Sequence, residues 1–209
     1  MTKIFLPLLI ACLLPGCAFL HKSQPAAIYD LGLQSATYTQ QPSQQAELRR
    51  KSLLVADTAT PAWLDNTAIH YRLLYHDPAQ LYAYANSRWI ATPAALLTQQ
   101  LRNRIVATTS ERVIKDNSMA TADHVLHTES QEFSQLFDTT SDSRIVIGLR
   151  ASLVERNTRK LLAQKDFSIT QKAPSADAPR AVSALSAANT RLLDELIDWL
   201  SAALPPNQP

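Results

Sequence analysis

Arg144-Ile145-Val146-Ile147-Gly148-Leu149-Arg150-Ala151-Ser152-Leu153-Val154-Glu155 is the stretch that decides the fold. Ile145, Ile147, Leu149, Ala151 and Leu153 recur at a period of two, and only an extended chain lines such residues up on one face. A segment of this kind is a strand with one side turned to a core. The neighbouring segments repeat the pattern. Residues 123–137 read as a second extended segment, and in 161–171 the apolar positions Leu161, Ala163, Phe167 and Ile169 keep the period, broken only by Lys165. Connectors rich in Asp, Ser, Thr and Asn join the three into a meander.

Strands with one apolar face need a cover, and two segments have the period of a helix. Thr92-Pro93 opens the first, with threonine as N-cap and proline at the first helical position. Leu97, Leu101 and Ile105 then recur every fourth residue, with Arg102 and Arg104 turned elsewhere and an end near Thr108. After a Pro/Ala/Ser linker at 172–179, the second runs over 179–204. Its stripe is Leu185, Leu192, Leu196 and Leu200, widened by Leu193 and Ile197, and Pro205-Pro206 stops it. Upstream, residues 28–32 and 52–57 read as short strands, and 34–50, with five glutamines, as a loop. Residues 68–75 and 80–86 read as a hairpin turning at His76-Asp77-Pro78-Ala79. The order is β-β-β-β-α-β-β-β-α without internal repeat. It predicts a single α+β domain, a mostly antiparallel sheet with two helices packed on one face.

Composition narrows the function. The 209 residues are 46% hydrophobic, enough for a proper core, and 18% charged. Three glycines leave no room for a phosphate-cradling loop or a dinucleotide fingerprint. Twenty Lys and Arg against 18 Asp and Glu give no basic footprint for nucleic acid. Both cysteines, Cys12 and Cys17, lie at the front, which excludes a zinc site or a disulfide framework.

The front sets the address. Lys3 followed by the apolar run Ile4 to Leu14 is too short to span a bilayer but fits an export signal. Leu14-Pro15-Gly16-Cys17 follows at once and resembles the lipobox of bacterial lipoproteins. There the cysteine thiol takes the diacylglyceryl group, and a residue without a side chain before it admits the peptidase. Pro15 departs from the Ala, Ser or Thr more usual in that place. The expected organisation is a signal peptide at 1–16, lipidated Cys17 with a short tether at 17–27, the α+β domain at 28–204 and a tail at 205–209. One acyl chain holds only marginally, at about 0.8 kcal/mol per buried CH₂, so two or three chains make the anchor firm. Ala18 after the cysteine, where an aspartate would retain such a protein in the inner membrane, points to the periplasmic face of the outer membrane. The tether of about ten residues reaches under roughly 20 Å, so the domain stays near its membrane and partners come to it.

No chemistry is announced. His124 and His127 fall on opposite faces of one strand and cannot share a metal ion; His70 and His76 have no carboxylate or thiol pattern beside them. Glu129 and Glu132 are expected on opposite faces, and Asp194, Glu195 and Asp198 on the polar side of the last helix. With no nucleophile elbow and no free thiol in the mature chain, the expectation is a non-enzyme without metal or cofactor. The candidate surface is aromatic: Trp63, Tyr71, Tyr75, Tyr82, Tyr84 and Trp89 crowd into residues 63–89. These rings either pack helix against sheet or line a groove for acyl chains or a partner helix. Arg88 beside Trp89 either meets a phosphate headgroup or a partner ring, or pairs with Asp65 at a structural corner.

Tyr29-Asp30-Leu31, Trp63-Leu64-Asp65, Ile69-His70-Tyr71-Arg72, Tyr82-Ala83-Tyr84, Arg88-Trp89 and Thr92-Pro93-Ala94-Ala95-Leu96-Leu97 resemble the ABC-type transport auxiliary lipoproteins. Those are the PqiC-like proteins that accompany MCE-domain lipid transport systems of Gram-negative bacteria. The likeness runs from Tyr29 to the last helix and is most specific between Pro61 and Leu97. The family usually has two prolines after the Arg-Trp pair, and Thr92-Pro93 keeps the second. The resemblance implies an outer-membrane lipoprotein that docks onto, or receives from, an MCE-domain partner and supports phospholipid movement. A homo-oligomeric collar would suit such docking, and no catalytic residue is implied. The contact candidates are Trp63, Tyr71, Tyr82, Tyr84, Arg88 and Trp89. The rival reading is an outer-membrane lipoprotein that plugs or activates another envelope machine, for lipopolysaccharide assembly or cell-wall synthesis.

Overall fold

The computed structural model describes residues 25–32, 52–109, 112–115 and 121–205. The signal segment, Cys17, the predicted loop at 34–50 and the last four residues of the tail lie outside them. The described chain is one α+β unit. Its elements are β1 (Ala27–Tyr29), β2 (Ser52–Val55), β3 (Ala68–Leu73), β4 (Asp77–Trp89), α1 (Pro93–Thr108), β5 (Arg112–Lys115), β6 (His124–Phe137), β7 (Ser143–Glu155), β8 (Lys160–Lys172) and α2 (Ala178–Ala203). All eight strands belong to one sheet. β5 is an addition to the predicted order: four residues, too short to show a period, which pair in parallel with β2.

The sheet is mixed rather than mostly antiparallel. The meander β6-β7-β8 and the hairpin β3-β4 are antiparallel. The pairs β1-β4, β2-β5, β2-β6 and β3-β6 are parallel. Hairpins are local and leave a turn signal, whereas parallel partners must be reached by a crossover and leave none. The long strand β6 organises the whole. Along one edge it pairs with β7 from His124 to Phe137. Its other edge is shared end to end, β2 taking His124 to Leu126 and β3 taking Ser134 to Phe137. The single bridge Ala59–Glu129 lies between them.

The expected core face holds. Ile145, Ile147, Leu149, Ala151 and Leu153 are all buried and join one cluster with Leu97, Leu101 and Ile105 of α1 and Leu185, Leu192, Leu196 and Leu200 of α2. Both helices thus cover the same face of the sheet. Thr92 caps α1, its hydroxyl accepting from the Ala95 N–H at 3.3 Å, and Asp177 caps α2, accepting from the Arg180 N–H at 2.8 Å. Arg104 and Asp194 form an ion pair that ties the helices together across their exposed sides. Arg102 reaches back to the Val55 carbonyl at 2.7 Å and to Asp57 at 2.8 Å.

One face assignment is overturned. Between Ser130 and Glu132 the register on β7 slips by one residue: Ser130 stands opposite Leu149, and Glu132 opposite Gly148. This is a β-bulge, and the extra residue restores Glu132 to the face of Glu129, opposite Gly148 and Arg150. Counting by twos cannot detect it. His124 and His127, with no bulge between them, do take opposite sides, the first buried and the second exposed.

Candidate functional site

The aromatic run at 63–89 separates into four places. On β3, Ile69 is sealed in the core, and two residues on, on the same face, Tyr71 is half-buried. Tyr71 stands opposite Tyr82 in the hairpin, and the rings stack at 5.2 Å between centroids with 12° between planes. Tyr84 joins at 4.9 Å and Phe137 of β6 at 5.6 Å, edge to face. Three predicted residues, Tyr71, Tyr82 and Tyr84, are therefore one cluster at the hairpin end of the sheet. Such contacts add about 0.5–1.5 kcal/mol per ring pair beyond the area they bury.

A buried amide anchors the cluster. Gln135 sits at a core position between Phe133 and Phe137 and is fully buried. Its carbonyl oxygen accepts the Tyr84 hydroxyl at 2.6 Å, and its amide donates to Ser143 Oγ at 2.7 Å and to the Ser175 carbonyl at 3.4 Å. One side chain thus ties β4, β6, β7 and the approach to α2. Burial raises the Tyr84 phenol far above the usual tyrosine value, and Tyr71 and Asp177 push the same way.

Trp63 lies on the other face of the hairpin. It meets His70 edge to face at 6.2 Å, and the Arg72 guanidinium sits over its ring at 5.6 Å. Arg72 also donates to the Pro78 and Ala79 carbonyls across the hairpin. His70 is buried, and that burial lowers its pKa from the ordinary value; its Nε2 is 3.1 Å from Asn66 Oδ1. Trp63 and Tyr75, 36% and 48% exposed, leave this end of the molecule with aromatic surface on both faces and at the tip.

The remaining two candidates stand apart from this end. Trp89 is 1% exposed and packs edge to face on Phe133 at 5.7 Å, so it is a core residue and unavailable to a partner. Its position on β4 shares a face with the covered side of the sheet, where so large a ring is most stable. Arg88 is exposed on the opposite face, beside Ile28 in register. It makes no ion pair with Asp65 among the described residues, so the expected structural corner is not formed.

Among the described residues, three clefts are lined by other side chains. The first, of about 370 Å³, lies at the β1 edge between Ile28, Ile90 and Val182. A second, of about 320 Å³, opens at the start of α1 beside Asp57, Asp65 and Arg102. The third, of about 310 Å³, lies on the uncovered face of the sheet between His127, Glu129 and Arg150. Each is at the lower limit of small-molecule sites. Among the described residues, no group of three or more His, Cys, Asp or Glu could hold a metal ion, and no helix is long and apolar enough to cross a membrane.

Sequence reasoning missed Arg72, Phe137 and Gln135, and ranked Tyr75 only among the crowd. Gln135 had a signal: a polar residue at a core-parity position between two phenylalanines. Phe137 had none, because the β3-β6 pairing that brings it to Tyr71 is long-range and parallel.

The sequence profile of the ABC-type transport auxiliary lipoprotein component family matches residues 29–197. Among solved structures, a protein of Xanthomonas campestris superposes with a TM-score of 0.70 at 20% identity, covering 85% of this chain and 96% of its own. An uncharacterized protein gives a TM-score of 0.64 at 16% identity, covering 85% and 99%. A PelC dodecamer subunit of Paraburkholderia phytofirmans gives 0.45 at 15% identity, covering 71% and 86%. No curated protein matches the sequence.

Proposed function

Since this chain belongs to the ABC-type transport auxiliary lipoprotein family, we propose that it is the non-catalytic, lipid-anchored component of an MCE-type intermembrane phospholipid transport system. In this reading Cys17 carries the lipid, the domain rests at the periplasmic face of the outer membrane, and the MCE-domain protein docks on the aromatic end. The observation that carries the reading is the family match across 169 consecutive positions, 29–197.

The packing supports docking rather than enclosure. The space between sheet and helices is filled by aliphatic side chains, with Leu53, Ile69, Ile145, Ile147, Leu153 and Leu185 completely buried. Aromatic residues and arginine are the side chains that most often dominate protein contacts. Trp63 with Arg72 over it, exposed Tyr75 and half-buried Tyr82 supply both at the hairpin end.

Affinity purification of the tagged full-length protein from membranes, with mass spectrometry of co-purified proteins and phospholipids, tests this. Recovery of an MCE-domain subunit is the expected result. A cell-wall synthase or a lipopolysaccharide translocon in its place would overturn the transport reading in favour of an activator or plug of that machine.

A further inference from the structure

The hairpin is one end of β4; the other end has a different chemistry. Ile28 of β1 is 55% exposed and Ile90, just past β4, is 65% exposed. The two flank one ladder, since the Ile90 N–H donates to the Tyr29 carbonyl at 2.7 Å, and both line the 370 Å³ cleft at the sheet edge. Ala27 beside them is exposed too. Arg88, in register with Ile28, presents its guanidinium on the same side and makes no ion pair among the described residues.

We infer that this corner, Ile28 and Ile90 with Arg88, is a lipid-surface contact that seats the domain on the bilayer. The inference rests on the lipidation of Cys17 proposed above. Aliphatic side chains settle at the boundary of headgroup and acyl chain, and a guanidinium on a flexible stem reaches the phosphates. Position in the chain selects this occupant. Ten residues, eleven chain steps, lie between Cys17 and Ile28, and no chain of that length reaches beyond roughly 40 Å. The anchor therefore holds this corner nearest the membrane. A second copy of the chain fits less well: β1 offers three residues of edge, and the aliphatic pair covers far less than the roughly 1,200 Å² of a stable interface. β4 also separates the two ends: Asp77 and Arg88 stand opposite Leu73 and Ala68 of β3, five residue steps or roughly 17 Å apart along that strand. With the Ile28 corner on lipid, Tyr75 and the aromatic end point away from the bilayer, towards an incoming partner.

The test uses the full-length lipidated protein in vesicles of phosphatidylethanolamine and phosphatidylglycerol containing a nitroxide-labelled lipid. Ile28→Cys, Ile90→Cys and Tyr75→Cys are each labelled with a small environment-sensitive fluorophore, and intact mass reports the state of Cys17. The expected result is severalfold stronger quenching at positions 28 and 90 than at 75. A lipidated protein with equal quenching at all three positions overturns the seating and leaves the anchor standing. So does weak quenching at 28 and 90 together with a dimer in crosslinking, which would assign the corner to a second copy. An unmodified Cys17 overturns the anchor and the seating together.

Discussion

Tyr84 shows how one hydroxyl ties an aromatic cluster to the frame behind it. Its hydrogen bond to Gln135 is made where the amide has no access to water, so removing the hydroxyl leaves a buried acceptor unsatisfied. Tyr84→Phe is expected to cost about 1–3 kcal/mol in urea denaturation. The pH dependence has a definite sign. The folded phenol is raised above its ordinary value of 10.0, so the stability it contributes is whole below that pH and declines as pH rises beyond it. Tyr84→Phe should flatten the alkaline limb of the stability profile; an unchanged limb would mean that other groups govern it. Arg88 is the contrasting residue, exposed and without an ion pair among the described residues. Arg88→Ala should leave the melting temperature nearly unchanged, within about 0.5 kcal/mol, while weakening function in the cell. A collapse of both would make the arginine structural after all.

Helix α2 and strand β6 carry most of the architecture. α2 starts at Asp177, whose carboxylate accepts from the Arg180 N–H and from the Ser175 hydroxyl. The Ser175 bond first, and the Arg180 N–H second, hold its pKa below the ordinary carboxylate value. Asp177→Ala should destabilise by about 1 kcal/mol near neutral pH. A depressed carboxylate contributes above its unfolded pKa and loses that contribution as pH falls through the folded one, so the gap between variant and parent should close in acid. Thermal melts at neutral and at acid pH compare the two directly. In β6, the bulge before Glu132 divides the strand into the half that pairs with β2 and the half that pairs with β3. A bulge adds twist, which lets two short strands share one edge.

The molecule is polarised along β4. One end carries the exposed Ile28 and Ile90 with Arg88, and the other carries the tyrosine cluster and Trp63 with Arg72 over its ring. If the aromatic end is the docking surface, Tyr75→Ala and Tyr82→Ala should each lower recovery of the co-purified partner by about tenfold or more, as truncation of a central aromatic anchor does. Circular dichroism on the same variants checks that the fold is intact. Undiminished recovery from both variants would move the docking surface elsewhere.

Much of this was legible from local chemistry. The period of two at Ile145–Leu153 and the fourfold spacing of Leu97, Leu101 and Ile105 depend only on backbone geometry, and the structure places both as read. The N-cap at Thr92 is likewise local. Only the tertiary structure decided what depends on distant partners. It set the parallel pairings of β2 and β3 on β6, the return of Glu132 to the face of Glu129, the meeting of Tyr71 with Phe137 and the burial of Trp89. An apolar ring has the same sequence signature whether it fills a core or waits for a partner. The difference is which neighbours arrive to cover it, and loops and crossovers bring those neighbours without marking them in the residues they join.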